Sequence, residues 1–337
     1  MAIGAATLAV VNAGGWGTAL AIKLANQGHA VRLWARRSEM AECIARDREN
    51  TRYLSGVTIP ASVRVTADLG EAIAGADVVV VAAIASYLRE IARRLHPLLQ
   101  PNVLIAHGTK GLEPESWRTP SQVLAEELGP GFAGRIAALG GPTHAEEVAR
   151  QLPTAAVVAC ADADMVGRLQ GLFATTWFRV YTNPDVVGVE LCSAAKNVIA
   201  IAAGIGDGLG YGDNSKAALM TRALAEMWRL VEQYGGSFAT IAGLAGVGDL
   251  IATCTSRHSR NRWAGEQLGR GVSTEEVVAS TPMVIEGIPS ARAMVAQARR
   301  HGVEMPICEG VYRILFEGQR PDEALRELLA RGPAAEA

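Results

Sequence analysis

The feature that most constrains the fold is a glycine-rich turn between a buried strand and a helix, close to the start of the chain. Thr7–Val11 is typical of a buried strand, and the next six residues, Asn12–Gly17, read NAGGWG. From about Thr18 the sequence is a good helix former. A strand, a glycine turn and a helix in this order form the context of the dinucleotide-binding fingerprint G-x-G-x-x-G.

Two glycines of the turn have the roles that the fingerprint requires. Gly14 takes the second glycine position, where the backbone comes close to a pyrophosphate, and Gly17 takes the third, where the helix packs on the strand. Asn12 stands in the first glycine position, and Asn is the residue other than glycine that best tolerates a left-handed backbone. An ordinary strand-to-helix turn with glycines is the competing interpretation.

The end of the second strand predicts which dinucleotide binds. In NAD-binding folds an Asp or Glu about 20 residues after the glycine turn accepts a hydrogen bond from the ribose 2′-hydroxyl. After the strand Ala30–Trp34 this chain has Arg36 and Arg37 and no acid. Because guanidinium groups suit a 2′-phosphate, the pair predicts NADP(H), although two solvated arginines would give the same sequence.

Strand-like and helical segments alternate through the first half, which predicts a Rossmann-like α/β domain with a mostly parallel sheet. The later predicted strands are Val78–Ala82, Val103–Ala106, Arg135–Leu139, Ala155–Ala159 and Trp177–Tyr181. A turn signal at 182–185 marks the predicted boundary between a dinucleotide-binding domain, 1–184, and an all-α substrate and catalytic domain, 185–337. The Ala-rich end after Gly332 is predicted to be disordered.

Composition excludes several other classes of protein. The 337 residues carry 32 Lys and Arg against 34 Asp and Glu, so neither nucleic acid nor an anionic membrane is expected as a partner. The longest apolar runs, such as Val78–Ala85, are too short for a membrane span, and the N-terminus lacks the basic region of a signal peptide. Five cysteines without a C-x-x-C pair argue against disulfides and structural zinc and for a reducing cytoplasm.

Three ionisable residues stand alone in long apolar or glycine-rich windows. Lys110 is the only formally charged residue from 95 to 112, Lys196 from 191 to 206, and Asp249 from 233 to 256. A charged group is costly to bury without a partner, so these residues are expected to pair with one another, to form a functional site, or both. A lone lysine whose ammonium group reaches the surface is the alternative for each position.

A basic and hydrogen-bonding cluster, Arg257–Arg262, follows the Asp249 segment and has the donors that a phosphate site needs. A basic helix start is the alternative interpretation. His144 and His258 have no further His or Cys at ligand spacing, so no metal site is predicted.

From about Thr7 to Gly318 the chain resembles the bacterial-type NAD(P)-dependent glycerol-3-phosphate dehydrogenases. The strongest stretch is Val189–Met227, VELCSAAKNVIAIAAGIGDGLGYGDNSKAALMTRALAEM. It is supported by GGWGTALA, HGTKGLEP, GGPTHAEEVARQLPTA, LAGVGDLIATCTSRHSRNR and VIEGIPSARA.

The resemblance implies a role for individual positions. Lys196 is the implied proton donor and acceptor, with Lys110 and Asp249 in the same catalytic site. The implied substrate positions are Lys110, Gly141, Thr143, Lys196, Asn197, Asp249, Ser259, Arg260 and Asn261. With the glycine turn, the implied cofactor positions are Asn12, Gly14, Gly15, Trp16, Gly17, Arg36, Arg37, Tyr53, Lys110, Ala145, Arg260, Val284 and Glu286. The chain departs from the family's usual residues at Asn12, at Thr143 in place of Ser, and at His144 in place of Phe.

The implied reaction is the reversible reduction of dihydroxyacetone phosphate to sn-glycerol 3-phosphate, which supplies glycerophospholipid synthesis. The expected cofactor is NADP(H), with NAD(H) as the alternative. The resemblance also implies a cytoplasmic homodimer. Two other functions stay open: another two-domain dehydrogenase, acting on hydroxy acids or ketopantoate, and a catalytically silent NADP(H)-binding subunit. The first needs a partner for a substrate carboxylate, and the second does not need the Lys196–Asp249 pair.

Overall fold

The structure, a computed structural model, describes residues 4–330. The Ala-rich end after Gly332 lies outside the described residues. Up to residue 183 the chain alternates strands and helices, with the bounds β1 Thr7–Val11, α1 Gly15–Asn26, β2 Ala30–Trp34, α2 Ser38–Asp47, β3 Glu49–Asn50, β4 Leu54–Thr58, β5 Arg64–Thr66, α3 Leu69–Ile73, β6 Val78–Val81, α4 Ala85–Leu95, β7 Leu104–His107, α5 Pro120–Leu128, β8 Ile136–Gly140, α6 Ala145–Ala149, β9 Thr154–Ala159, α7 Ala163–Phe173 and β10 Phe178–Asn183.

Eight of these strands form one sheet in the order β10-β9-β8-β7-β6-β1-β2-β5, and β3 pairs with β4 separately. Every pair in the large sheet is parallel except β8 with β9. The predicted Rossmann-like class is therefore confirmed. Because the chain runs from β1 to one side and returns with β6 on the other, the strand order reverses at β1, and the carboxyl ends of β1 and β6 flank a crevice where such folds bind ligands.

The strands β3, β4 and β5 were not predicted from the sequence. β3 has two residues and β5 has three, which is too short for an alternating pattern to show. β4 contains Gly56 and exposes three of its five residues, so it lacks the continuous apolar run of the buried strands.

After β10 the described chain is helical. The helices are α8 Val186–Gly208, α9 Asp213–Gln233, α10 Phe238–Ala242, α11 Asp249–Thr255, α12 Arg260–Gly269, α13 Thr274–Ala279, α14 Gly287–His301, α15 Pro306–Phe316 and α16 Pro321–Ala330. A π-helical turn, Leu244–Gly248, leads directly into α11. The predicted all-α second half is thus confirmed for the described residues.

Helix α8 is the centre of the helical half. It is long and apolar enough to cross a membrane, but most of it is buried inside the protein, packed mainly against α12, with α14 and α11 beside it. A Cβ on Gly265 of α12 would lie 2.0 Å from the carbonyl oxygen of Ile201, so only glycine permits this approach of the two backbones. The close crossing brings the start of α12 beside the middle of α8, where Lys196 lies.

Candidate active site

A cleft of about 460 Å³ lies between the sheet and the helical half. The predicted site residues that line it are Asn12, Gly14, Gly15, Trp16, Arg36, Arg37, Tyr53, Lys110, Thr143, Ala145, Lys196, Asn197, Ser259, Arg260, Asn261, Val284 and Glu286. Three others, Gly17, Gly141 and Asp249, do not line the cleft. They are buried behind it and support residues that do.

Asn12 fixes the turn after β1. Its φ of 91° lies in the left-handed region, as expected for a residue that replaces the first glycine. Its backbone N–H donates to the carbonyl of Trp34 at 3.2 Å, and its side-chain Nδ2 donates to the carbonyl of Ala82 at 3.0 Å. Asn12 therefore ties β1 to the strands on both sides at the point where the strand order reverses.

The start of α1 provides a cradle for an anionic group. No side chain caps this helix, so its first backbone N–H groups are free to bind a phosphate. A Cβ on Gly17 would lie 2.0 Å from the carbonyl oxygen of Asn12, and one on Gly15 would lie 2.8 Å from that of Tyr53. The indole Nε1 of Trp16 is buried and has no hydrogen-bond partner among the described residues. A close backbone, free donors and an unpaired N–H together fit a dinucleotide.

At the far end of the cleft, Arg36 and Arg37 follow β2 and are both exposed. The guanidinium of Arg36 lies over the ring of Tyr87, 5.1 Å from its centroid. This cation–π contact fixes the position of the Arg36 guanidinium at one side of the cleft, and the N–H groups of Arg36 can still face a ligand. The arrangement can bind an anionic group attached to an adenosine.

The three lone charges of the sequence meet at the other end. Lys196 on α8 donates to Oδ1 of Asp249 at the start of α11, and Lys110 Nζ lies 3.2 Å from Oδ2 of the same carboxylate. The side chains of Lys196 and Asp249 are 5 % and 2 % exposed, whereas that of Lys110 is 19 % exposed. One buried carboxylate thus holds two ammonium groups beside the cleft.

In this cluster, burial and the neighbouring charges have opposing effects on the pKa values of Lys196 and Asp249. Burial lowers the pKa of Lys196 below its usual value and Lys110 lowers it further, while Asp249 raises it. Burial of Asp249 disfavours its charge, yet Lys110 and Lys196 together hold the pKa of the carboxyl below its usual value. Asp249 therefore stays ionised, and the proton of Lys196 is easier to release than that of a solvated lysine.

Thr253 is a member of the cluster that the sequence did not reveal. Its Oγ1 accepts a hydrogen bond from Lys196 Nζ at 2.9 Å and donates to the backbone carbonyl of Asp249 at 2.6 Å. It follows Asp249 by four residues on α11, so both side chains lie on one helix face. The spacing in DLIAT is the signal that could have identified it.

A second group of polar residues lies at the start of α12. Asn261 Nδ2 donates to Oδ1 of Asn197 at 2.9 Å, while Asn261 Oδ1 accepts from the backbone of Gly287 at 2.9 Å. Ser259 caps α12 by accepting from Arg262 N at 3.2 Å. The exposed Arg260 donates to the carbonyl of Val284 at 2.9 Å, which places a cation at the mouth of the cleft.

The remaining predicted positions border these two groups. Gly141 has a φ of 101°, and its carbonyl accepts from Thr143 Oγ1 at 3.2 Å, so the two form one turn after β8. Glu286 is partly buried, and burial raises the pKa of its carboxyl, against the effect of Arg260, Lys110 and Lys196.

Two histidines lie beside the cluster and line the cleft. The rings of His144 and His258 are 6.2 Å apart, and His144 Nε2 lies 3.3 Å from the carbonyl oxygen of Ala252. Burial lowers the pKa of His144, and the two nearby lysines add to the effect. Among the residues that the structure describes, no group of three or more His, Cys, Asp or Glu side chains could hold a metal ion.

Two family models together match most of the chain. The model of the NAD-dependent glycerol-3-phosphate dehydrogenase N-terminus matches residues 7–166, and that of the C-terminus matches 185–326. An NAD(P)+ glycerol-3-phosphate dehydrogenase of Chlorobium limicola is 48 % identical over 329 residues, which cover 98 % of this chain and 99 % of the relative. One of Pelotomaculum thermopropionicum is 49 % identical over 98 % of this chain and 94 % of its own length.

Solved structures give the same result. The crystal structure of glycerol-3-phosphate dehydrogenase from Coxiella burnetii has a TM-score of 0.92 and 40 % identity, over 97 % of this chain and 99 % of that one. A ketopantoate reductase from Ralstonia eutropha has a TM-score of 0.60 and 17 % identity over 95 % of this chain, which is a similarity of fold alone.

Proposed function

The chain belongs to the NAD-dependent glycerol-3-phosphate dehydrogenase family, and we propose that its cleft reduces dihydroxyacetone phosphate with Lys196 as the residue that exchanges the proton. The protein is an NAD(P)-dependent oxidoreductase that interconverts dihydroxyacetone phosphate and sn-glycerol 3-phosphate. The observation that carries the proposed role is the buried Lys196–Asp249 pair at the wall of the cleft.

Bound NADPH supplies the hydride that adds to the C2 carbonyl of the substrate. As the new C–H bond forms, the π electron pair of the C2 carbonyl moves onto its oxygen. Lys196 Nζ gives a proton to that oxygen, and the product is an alcohol. In the oxidation of sn-glycerol 3-phosphate the neutral amine takes the hydroxyl proton instead. Because burial lowers the pKa of Lys196, the amine can serve in both directions.

Asp249 and Lys110 prepare this exchange. The carboxylate of Asp249 orients the ammonium group of Lys196 and favours its charged form. Lys110 shares that carboxylate and adds a second positive charge, which stabilises negative charge on the oxygen as it develops. Thr253 accepts a hydrogen bond from Lys196, so two groups fix the direction of Nζ.

The phosphate of the substrate binds, in this proposal, at the start of α12. Arg260 supplies the positive charge, and Ser259 and Asn261 supply polar groups of the helix start. Asn197 is hydrogen-bonded to Asn261, which links this site to Lys196 one residue away. Thr143 borders the substrate pocket, and the carbonyl of Gly141 behind it accepts from the Thr143 hydroxyl.

The cofactor is held at the glycine turn. The residues proposed for it are Asn12, Gly14, Gly15, Trp16, Gly17, Arg36, Arg37, Tyr53, Lys110, Ala145, Arg260, Val284 and Glu286. The free N–H groups of α1 would bind the pyrophosphate, and the guanidinium groups of Arg36 and Arg37 would favour NADP(H), which has a 2′-phosphate, over NAD(H).

We also propose the organisation of the protein in the cell. A dinucleotide-binding domain, 1–184, and a helical substrate domain, 185–337, meet at the short segment between β10 and α8. The enzyme is a cytoplasmic homodimer, and its product supplies glycerophospholipid synthesis. Size-exclusion chromatography with light scattering tests the dimer, which is contradicted by a monomeric mass.

One assay tests the reaction against its rivals. The loss of NADPH absorbance is followed with dihydroxyacetone phosphate, oxaloacetate or ketopantoate as the only acceptor. The proposal expects rapid loss with dihydroxyacetone phosphate and little with the two carboxylic acids. A higher rate with either acid contradicts dihydroxyacetone phosphate as the substrate. NADPH binding without turnover of any of the three acceptors supports a catalytically silent binding protein.

A further inference from the structure

The loop that carries Lys110 begins at a buried polar contact with no assigned role. His107 is the last residue of β7, and only Gly108 and Thr109 separate it from Lys110. Its Nε2 lies 3.1 Å from Oε1 of Glu190 on α8, and both side chains are only 1 % exposed. Neither residue lines the cleft, so neither is a candidate to touch the substrate.

Glu190 connects three elements through one carboxylate. Its Oε1 accepts from the backbone N–H of Ser121 at 2.6 Å, and its Oε2 accepts from the hydroxyl of the same serine at 2.8 Å. Ser121 lies in the first turn of α5. A buried carboxylate is costly unless it is paired or hydrogen-bonded. The two hydrogen bonds from Ser121 join α8 to α5, and the 3.1 Å approach of His107 Nε2 places the same carboxylate against the end of β7.

The loop itself has few polar contacts of its own. Gly108 N donates to the carbonyl of Val81 at 2.9 Å, but Thr109 Oγ1 is buried without a hydrogen-bond partner among the described residues. Neither ring nitrogen of His107 has a hydrogen-bond partner in the part of the chain that the structure describes. The approach of Glu190 Oε1 to His107 Nε2 is a polar contact between the end of β7 and the helix that carries Lys196.

We infer that Glu190 is a positioning residue for the reaction: by its contact with His107 it holds the Lys110 loop so that Lys110 Nζ reaches Asp249. The inference rests on the proposed role of Lys110. Glu190 precedes Lys196 by six residues on the rigid helix α8, so one element fixes both lysines relative to the shared carboxylate. Loss of the contact displaces the loop, and a displacement of about 1 Å costs up to about 100-fold in rate.

The chain offers a matched control at Glu226 of α9. Glu226 is 2 % exposed, and its carboxylate accepts from the backbone N–H groups of Ile307 at 2.7 Å and Cys308 at 3.3 Å. Like Glu190, it is a buried glutamate whose carboxylate accepts from the first turn of another helix, here α15, and it does not line the cleft. Glu226→Gln therefore reproduces the structural cost of the substitution without touching the loop of Lys110.

The test is a double-mutant cycle. Glu190→Gln and Glu226→Gln are each made in the wild type and in Lys110→Ala. Single-turnover rates are measured at saturating NADPH and dihydroxyacetone phosphate, with the dissociation constant of NADPH from fluorescence and the melting temperature from calorimetry. We expect Glu190→Gln to slow the wild type about tenfold but Lys110→Ala less than twofold, with NADPH affinity within about twofold. Glu226→Gln should lower the melting temperature and leave both rates unchanged.

The outcomes separate the inference from the proposed function. If Lys110→Ala alone has the wild-type rate, the proposed role of Lys110 is wrong. If Lys110→Ala is slow and Glu190→Gln slows it by the full tenfold again, or if Glu190→Gln leaves the wild-type rate unchanged, only the inference is overturned. Should Glu190→Gln not fold, His107→Asn breaks the same contact while leaving Glu190 bonded to Ser121, and the same non-additivity is expected.

Discussion

The two walls of the cleft present different chemistry to their ligands. The wall from the sheet is mostly backbone: the turn from Asn12 to Gly17 brings the start of α1 close and leaves its N–H groups free. The wall from the helical half consists of side chains, with Lys196 and Asp249 buried in an apolar helical core. One wall depends on the path of the chain and the other on a few ionised groups.

The two walls therefore tolerate different substitutions. The backbone cradle accepts a side chain only where a Cβ has room: Asn12 stands in a glycine position, whereas a Cβ on Gly15 or Gly17 would meet a backbone oxygen. In the proposed function it binds the part that all dinucleotides share, so we expect the choice between them to depend on Arg36 and Arg37. A buried ion pair accepts no such replacement, because the partner left behind has an uncompensated charge.

The largest effect is expected from Lys196→Ala. Loss of the proton donor costs typically 10²–10⁴-fold in rate, because this group acts mainly in the transition state. Rates from stopped-flow absorbance at saturating substrate check the prediction. The matched control is Lys23→Met, since Lys23 is another fully buried lysine and does not line the cleft. The control should keep its rate. A folded Lys196→Ala protein with the wild-type rate removes Lys196 from the mechanism.

Asp249→Asn should change the pH dependence. Asp249 raises the pKa of Lys196, so its loss lowers that pKa further, while Lys110 still repels the ammonium group. Reduction needs the protonated amine, so its alkaline limb should move to lower pH by about 1–3 units. Oxidation needs the neutral amine, so its acidic limb should move in the same direction. The measurement is the pH profile of kcat for Asp249→Asn in both directions of the reaction. Limbs at the same pH as in the wild type would exclude the coupling between Asp249 and Lys196.

Arg260→Ala should act on substrate binding. A charge-assisted hydrogen bond contributes about 1.5–3 kcal/mol, so the KM for dihydroxyacetone phosphate should rise about 10–100-fold. Initial rates against substrate concentration measure this change. Arg257→Ala removes a nearby exposed arginine that does not line the cleft, and its KM should stay at the wild-type value. An unchanged KM in Arg260→Ala places the phosphate elsewhere.

Replacing Arg36 and Arg37 together by Ala should have the smallest effect, because both are exposed and salt screens their contacts. The preference for NADPH over NADH in kcat/KM should fall about tenfold, and added salt should narrow the wild-type preference. Arg46→Ala, an exposed arginine of α2 outside the cleft, is the control. Equal losses for NADH and NADPH would show that the pair does not face the 2′-phosphate.

The sheet was largely readable from the sequence, since β1 and β2 have the predicted bounds. Helix α1 begins at Gly15 rather than near Thr18, because the glycine turn passes directly into the first helical turn. The short strands β3 and β5 were missed because two or three residues show no periodicity.

The same contrast applies to the site. Lys196 and Asp249 were found because each stands alone in an apolar window, and no charged neighbour hides it. Thr253 and Glu190 were missed, since a threonine is unremarkable in a helix and Glu190 follows the charged residue Asp185 by only five positions. For Thr253 only its position four residues after Asp249 gives a local signal. The contacts of Glu190 join elements that are distant in sequence and adjacent in space, which no local pattern records.

The most direct test of the different roles of the two walls compares a variant of each wall in the same two measurements. The dissociation constant of NADPH and the single-turnover rate at saturating NADPH and dihydroxyacetone phosphate are measured for Lys196→Ala and for the double Ala variant of Arg36 and Arg37. We expect Lys196→Ala to lose rate and keep NADPH affinity, and the double variant to lose NADPH affinity and keep its rate. A Lys196→Ala protein that loses NADPH affinity in proportion to its rate, or turns over like the wild type, would contradict it.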